Sequence, residues 1–101
     1  MVRSGKAYVK ISGAYRCSNR TPDYADVAPF GKALISANAD RILWGTDWPH
    51  PDPAAAHKPT DIAPLMPIDD GALMNLLPTW APDAALRKRI LVDNPTRLYG
   101  F

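Results

Sequence analysis

Short apolar runs alternate with a longer segment of helical periodicity in the first half of the chain. Residues 7–12 (Ala-Tyr-Val-Lys-Ile-Ser) have the aromatic and β-branched character of a buried strand. A second run, residues 42–46, is similarly apolar and is soon followed by prolines, which cannot continue a strand ladder. A helical pattern lies between them. Strand, helix and strand joined by short loops predict a βαβ unit with parallel strands and a right-handed crossover.

The intervening helix is predicted from Pro22 to about Asn38. Thr21 is placed to act as its N-cap, with Pro22 at the first helical position. Pro29 and Gly31 weaken the pattern and predict a kinked first turn. The residues that share the predicted apolar stripe are Val27, Ala28, Leu34, Ile35 and Ala37.

The second half of the chain begins with a proline-rich segment. Of the 11 prolines, six lie between Pro49 and Pro67, so residues 48–68 form either one long ordered loop or a disordered insertion. Helices are expected within residues 70–99. The first follows the acidic pair at 69–70 and is interrupted at Pro78.

A second C-terminal helix is predicted from Asp83 to about Val92. Its apolar face consists of Leu86, Ile90 and Leu91, whereas the basic run at 87–89 is a solvated face near the helix C-terminus. The Asn-Pro pair at 94–95 is expected to end this helix, and residues 96–99 form one last turn.

The predicted elements are too few for a closed α/β domain. Two parallel strands leave two unpaired edges, and near-continuous apolar character suits strands that are covered on both faces. The 101 residues are enough for one domain only. The fold class is therefore α/β, and the sequence looks like the last quarter to third of a larger α/β domain.

Composition narrows the functional classes. A net charge of +2 with dispersed basic residues gives no reason to expect a nucleic-acid partner. No apolar run approaches the roughly 20 residues of a membrane span, and no signal peptide is recognisable. The single cysteine, Cys17, excludes an internal disulfide and fits a reducing compartment, so a cytoplasmic location is expected.

Candidate functional residues follow both strands. Ser12, Tyr15 and Arg16 follow the first strand, and Asp47 and His50 follow the second, next to Trp48. Parallel strands place these ends on one face about 4.8 Å apart, so Arg16 and Asp47 can line one pocket if the strands are neighbours. Arginine there suits a carboxylate ligand.

Each of these residues also has a structural interpretation. Asp47 alone can form an Asx turn ahead of Pro49. Arg16 can equally form a salt bridge or lie exposed in its loop, and Ser12 and Tyr15 are more often packing or turn residues. His57, inside the proline-rich segment, is expected to be a solvated bystander.

A metal site is the alternative chemistry. Asp47, His50 and His57 have suitable ligand atoms, but no His-x-His pair or close-set ligand cluster is present. A complete metal site within this chain is not expected. An aspartate that completes a site built elsewhere remains open.

Three segments resemble the amidohydrolase-related hydrolases, especially the branch that contains 2-pyrone-4,6-dicarboxylate lactonase. The resemblance covers nearly the whole chain, in order, and its most specific segment is Gly-Thr-Asp-Trp-Pro-His. The matching segments are Val-Lys-Ile-Ser-Gly-Ala-Tyr-Arg (9–16), Ile-Leu-Trp-Gly-Thr-Asp-Trp-Pro-His-Pro (42–51) and Asn-Pro-Thr-Arg-Leu-Tyr-Gly-Phe (94–101).

This resemblance implies a (β/α)8 barrel in which the two strands are the seventh and eighth. It implies that Asp47 is the general base that activates the hydrolytic water, or also a metal ligand in metal-dependent relatives. Arg16 resembles the arginine that holds a substrate carboxylate, and His50, Tyr15 and Ser12 are further candidate substrate contacts. The lactonase branch implies no cofactor, whereas a metal-dependent relative would require a divalent ion such as zinc.

The chain departs from the family pattern in length and in its histidines. The first-strand His-x-His and the later-strand histidine have no counterpart, and the family's barrel is well over twice this length. Met1 is therefore expected to start a truncated reading frame or a split gene product, whose partner is the missing N-terminal barrel segment or another copy of itself. Three hypotheses follow: a lactonase-like hydrolase of a small carboxylated cyclic ester, a metal-dependent hydrolase or decarboxylase, and an inactive fragment.

Overall fold

Two short parallel strands form the sheet. The computed structural model describes residues 1–101, and in it β1 (Val9–Ile11) pairs with β2 (Ile42–Trp44). Val9 lies opposite Ile42, and Ile11 opposite Trp44, which confirms the predicted adjacent parallel pairing. A single-turn 3₁₀ helix precedes β2 at Ala39–Arg41. Because the strands are parallel, the loops that leave them start at the same edge of the sheet.

The helix between the strands is shorter than predicted. Helix α1 spans Ala28–Ala37, so its predicted start at Pro22 is wrong, and Thr21 is not its N-cap. Residues 21–27 form turns instead, with Tyr24 at a φ of 44°, in the left-handed region where a helix cannot continue. Pro29 occupies the first helical turn, where its missing N–H costs nothing.

Helix α1 packs closely on helix α2 (Asp70–Trp80). Gly31 makes this approach possible, since a Cβ at that position would lie 2.8 Å from the Trp80 ring. Asp69 caps α2 by accepting a hydrogen bond from the Ala72 N–H at 3.1 Å, as its acidic start predicts. The predicted interruption at Pro78 is wrong: Pro78 lies inside α2, and packing of the surrounding turns outweighs the lost hydrogen bond.

The proline-rich segment is an ordered loop. It folds back on itself through an antiparallel bridge between Pro51 and Leu65, and the Met66 N–H donates to the carbonyl of His50 at 2.9 Å. A 3₁₀ turn at Pro53–Ala55 is capped by Asp52. The loop therefore returns the chain to the strand ends before α2 begins.

The C-terminal segment is continuous where a break was predicted. Helix α3 (Ala84–Lys88) runs through a π-helical turn (Arg89–Asp93) into helix α4 (Asn94–Tyr99), so the pair at 94–95 does not end a helix. Its buried face has Ile90 and Asn94, whereas Leu91, predicted to face inward, is 37% exposed. The wider π turn changes which side chains face the sheet.

Asn94 fastens this segment to the sheet. It is fully buried, and its side-chain amide donates to the carbonyls of Ala39 and Ile42, each at 2.7 Å. The core around it includes Ile35, Ile42, Leu77, Trp80 and Ile90. No helix has the length and apolar character that crossing a membrane requires.

Candidate active site

Asp47 lies in the turn that leaves β2. Its φ of 71° is in the left-handed region, which a non-glycine residue rarely adopts unless its surroundings hold it there. The Thr46 hydroxyl accepts the Trp48 N–H at 3.3 Å and closes the turn. Thr46 thus stabilises the turn, and the Asp47 side chain accepts no backbone hydrogen bond, so the Asx-turn interpretation is wrong.

The Asp47 carboxylate instead bonds to side chains from the other strand and its loop. Its Oδ2 accepts from Arg16 Nε and from the Tyr15 hydroxyl, each at 3.0 Å. Its Oδ1 lies 3.8 Å from Lys10 Nζ in β1. Tyr15 and Arg16 reach this position from a 3₁₀ turn (Ala14–Arg16) that follows Gly13 at a φ of 68°.

Arg16 realises the salt bridge that the sequence left open, but only through one of its nitrogen atoms. Only Nε contacts Asp47, and the two Nη groups have no hydrogen-bond partner in the chain. The side chain is 38% exposed, and its guanidinium lies 5.1 Å from the centre of the Tyr15 ring. A carboxylate ligand can still reach the Nη groups while Nε stays on Asp47.

The electrostatics of this cluster keep Asp47 ionised. The hydrogen bond from Arg16, followed by that from Tyr15, lowers the pKa of Asp47 below its ordinary value. The same contact with Asp47 raises the pKa of Arg16. Burial and then the bond to Asp47 raise the pKa of Tyr15, so its hydroxyl keeps its proton at neutral pH.

His50 lies beneath the cluster and is only 3% exposed. Its Nδ1 is 3.1 Å from the Tyr15 hydroxyl, and its Nε2 is 2.8 Å from Oδ1 of Asp70 at the start of α2. The Tyr15 and His50 rings meet edge to face, with centroids 4.9 Å apart. Both ring nitrogens have protein partners, so in this structure His50 offers no free polar atom to a ligand.

The remaining candidates are not drawn into the cluster. Ser12 makes no side-chain hydrogen bond and lines a mainly apolar cavity of about 230 Å³ between β1, α1 and Trp80. Trp48 is 72% exposed. His57 is exposed in the proline-rich loop, as expected, and only its backbone N–H bonds, to Asp61.

Within this chain, the donor set around Asp47 is too small to form a metal site by itself. No group of three or more His, Cys, Asp or Glu side chains comes together in a way that could hold one. The neighbours of the Asp47 carboxylate are instead cationic, with Arg16 on one oxygen and Lys10 near the other. Positive charges at these positions oppose the binding of a second cation.

Two members of the cluster escaped sequence reasoning. The sequence pattern predicts Lys10 only as a strand residue and does not indicate that its ammonium group reaches Asp47. Asp70 was predicted only as a helix-start acid, although its partner, His50, lies 20 residues earlier. The sequence does contain one signal for Asp70. A helix start needs a single N-cap, which Asp69 supplies, so the second acid is free for another contact.

Comparison with known proteins identifies a family and several relatives for this chain. The family model described as Amidohydrolase matches residues 1–101. The chain is 48% identical over 96 residues to a 4-sulfomuconolactone hydrolase of Rhizobium radiobacter, covering 92% of this chain and 28% of that protein. It is 40% identical over 91 residues to a 2-pyrone-4,6-dicarboxylate hydrolase of Comamonas testosteroni, covering 90% and 27%.

A solved structure agrees with these sequence matches. The apo crystal structure of an Agrobacterium tumefaciens protein superimposes with a TM-score of 0.71 at 34% identity, covering 99% of this chain and 32% of that one. The chain belongs to the amidohydrolase family. It spans less than a third of the length of these relatives.

Proposed function

We propose that this chain supplies the seventh and eighth strands of a (β/α)8 barrel that hydrolyses a small carboxylated cyclic ester. The observation that carries the proposal is the Arg16–Asp47 pair, at 3.0 Å, at the carboxyl ends of two adjacent parallel strands. Barrel enzymes place their active sites at that end. The relatives described as lactone and pyrone hydrolases support the choice of substrate class.

Asp47 acts as the general base in this proposal. A water molecule loses a proton to the carboxylate as its oxygen attacks the ester carbonyl. The ring C–O bond then breaks, and the leaving ring oxygen takes that proton from Asp47, which releases an open-chain acid and restores the base. Oδ1 is the better placed oxygen, because Oδ2 already accepts hydrogen bonds from Arg16 and Tyr15.

Arg16 binds the substrate and also changes the pKa of the base, Asp47. Its free Nη groups bind the substrate carboxylate. The guanidinium then interacts with two carboxylates at once, that of the substrate and that of Asp47. Because Arg16 is the main cause of the lowered pKa of Asp47, this sharing raises that pKa and makes the carboxylate a better base. Substrate binding and base strength are thereby coupled.

The test uses a chimera in which this chain replaces the matching segment of the Rhizobium radiobacter hydrolase. We expect it to hydrolyse lactones that bear an acidic group, and Asp47→Asn to lower kcat by about 10²–10⁴-fold, the range that a general base contributes. Asn75→Asp, an exposed change on α2, is a matched control and should leave kcat unchanged. An inactive chimera, or one indifferent to Asp47→Asn, contradicts the proposal.

The inactive-fragment hypothesis applies to the isolated chain, which we expect not to turn over any lactone by itself. The metal-dependent hydrolase or decarboxylase is less well supported, since the neighbours of Asp47 are cations.

A further inference from the structure

Four side chains from three separate segments lie in a line beneath the candidate site, each at hydrogen-bond distance from the next. Asp47 Oδ2 is 3.0 Å from the Tyr15 hydroxyl, and that hydroxyl is 3.1 Å from His50 Nδ1. His50 Nε2 is 2.8 Å from Asp70 Oδ1. The line therefore runs from the proposed base, through two buried rings, to a carboxylate at the start of α2 that is 43% exposed.

The order of donors and acceptors follows from the chemistry of each group. A carboxylate that accepts from Nε2 favours the Nε2–H tautomer whenever the imidazole is neutral, and in that tautomer Nδ1 is an acceptor. Tyr15 has one hydroxyl proton and two acceptors at nearly equal distances. It can donate to Asp47 or to His50, but not to both.

We propose that Asp70 is a positioning residue, which fixes the His50 tautomer so that the Tyr15 hydroxyl can turn from Asp47 to His50 during the reaction. The inference rests on the proposed function, because it gives Asp47 the role of base. In the resting state Tyr15 donates to the Asp47 carboxylate.

The proton balance of the step explains why a second acceptor is useful. Water gives a proton to Asp47 Oδ1, and the carboxylate becomes a neutral acid whose Oδ2 is a weaker acceptor. The water oxygen bonds to the ester carbonyl carbon in the same step. Tyr15 then rotates its O–H to His50 Nδ1, and this rotation makes and breaks no covalent bond. Without Asp70, the imidazole can place its proton on Nδ1, and Tyr15 then has no alternative acceptor.

A double-mutant cycle in the chimera tests this path. We expect Asp70→Asn to lower kcat about 10-fold with little change in KM, which is less than the 10²–10⁴-fold effect of a general base. In the Tyr15→Phe background the same substitution should have no further effect, because the hydroxyl that transmits it is gone. Additive effects of the two substitutions would overturn the inference, since they would show a purely structural role for Asp70.

Asp69→Asn is the matched control. It removes a neighbouring exposed carboxylate from the same helix start, and asparagine retains the capping hydrogen bond. We expect kcat of this variant to stay within about twofold of the parent, since Asp69 has no contact with His50. Equal losses in Asp69→Asn and Asp70→Asn would overturn the inference by showing that the effect comes from charge near the helix.

A spectroscopic readout is independent of turnover. Histidine ¹⁵N spectra of the chimera, with the His50 signals assigned by their loss in His50→Gln, should show protonated Nε2 and unprotonated Nδ1. Asp70→Asn should mix the two tautomers, and Asp69→Asn should not. An unchanged tautomer in Asp70→Asn refutes the positioning role even if Asp47 proves essential, whereas indifference to Asp47→Asn refutes the proposed function itself.

Discussion

Replacing Asn94 with aspartate is the most direct test of how the C-terminal segment is held to the sheet. The Asn94 amide donates to two carbonyls at 2.7 Å, and the residue is fully buried. Asn94→Asp keeps the shape but places a carboxylate oxygen against two carbonyl oxygens. The substitution thus replaces two hydrogen bonds by two repulsive contacts and adds a buried charge.

The expected loss is large and depends on pH. An uncompensated buried charge costs about 3–5 kcal/mol, so we expect the free energy of unfolding to fall by about that amount at pH 7. Burial raises the pKa of the new carboxyl in the folded state, so the folded protein binds a proton that the unfolded chain releases. The part of the loss that comes from the charge is therefore absent below the ordinary aspartate pKa of about 3.9 and becomes complete as pH rises through the higher folded-state value.

Urea unfolding of the chimera between pH 4 and pH 8 measures this dependence. Asn75→Asp introduces the same charge at an exposed position of α2 and should change the unfolding midpoint little at any pH. Similar losses for the two variants, or a loss at Asn94 that does not grow with pH, would refute the argument from burial and hydrogen bonding.

Three further predictions concern the isolated chain and its base. Only 18 of 101 residues are buried, and the radius of gyration is 14.9 Å, against about 13 Å for a compact domain. Expressed alone, the chain should therefore self-associate or bind a hydrophobic dye. A chain that is monomeric in ultracentrifugation and melts cooperatively would contradict this. Calorimetric titration should detect no tight Zn²⁺ site; a stoichiometric site lost in Asp47→Ala would overturn that expectation. The lowered pKa of Asp47 should keep the acid limb of the kcat/KM pH profile below the ordinary aspartate range, because activity is lost only as pH falls through that pKa. Arg16→Gln should move this limb to higher pH. An unmoved limb would show that the Arg16–Asp47 ion pair does not control it.

The sequence was sufficient to predict the pieces of the fold that depend on local pattern. Both strands and their parallel pairing were recognised because apolar runs with β-branched residues have few alternatives. The start of α1 was missed because a left-handed residue at Tyr24 has no clear sequence signal. The continuity of α2 through Pro78 and of the segment through Asn94 depends on tertiary packing, which outweighs local helix preference.

The candidate site also contains contacts that the sequence predicts and contacts that it does not. The proximity of Asp47 and Arg16 could be predicted because parallel pairing brings the ends of both strands to one edge of the sheet. The bonds from Tyr15 and His50 could not, because they depend on a 3₁₀ turn and on a proline-rich loop whose path the sequence does not determine. Asp70 was the hardest to predict, since its contact with His50 requires that loop to return to the sheet before α2 starts.

The backbone conformation of Asp47 is supported by side chains from the neighbouring strand and its loop. A left-handed φ of 71° costs free energy of order 1–3 kcal/mol. Hydrogen bonds from Arg16 and Tyr15 hold the carboxylate from the neighbouring loop, and the His50 ring packs edge to face on Tyr15. The orientation of the base is thus set by side chains far away in sequence, so a substitution at any of them is expected to change the angle at which Asp47 meets its water before it changes the fold.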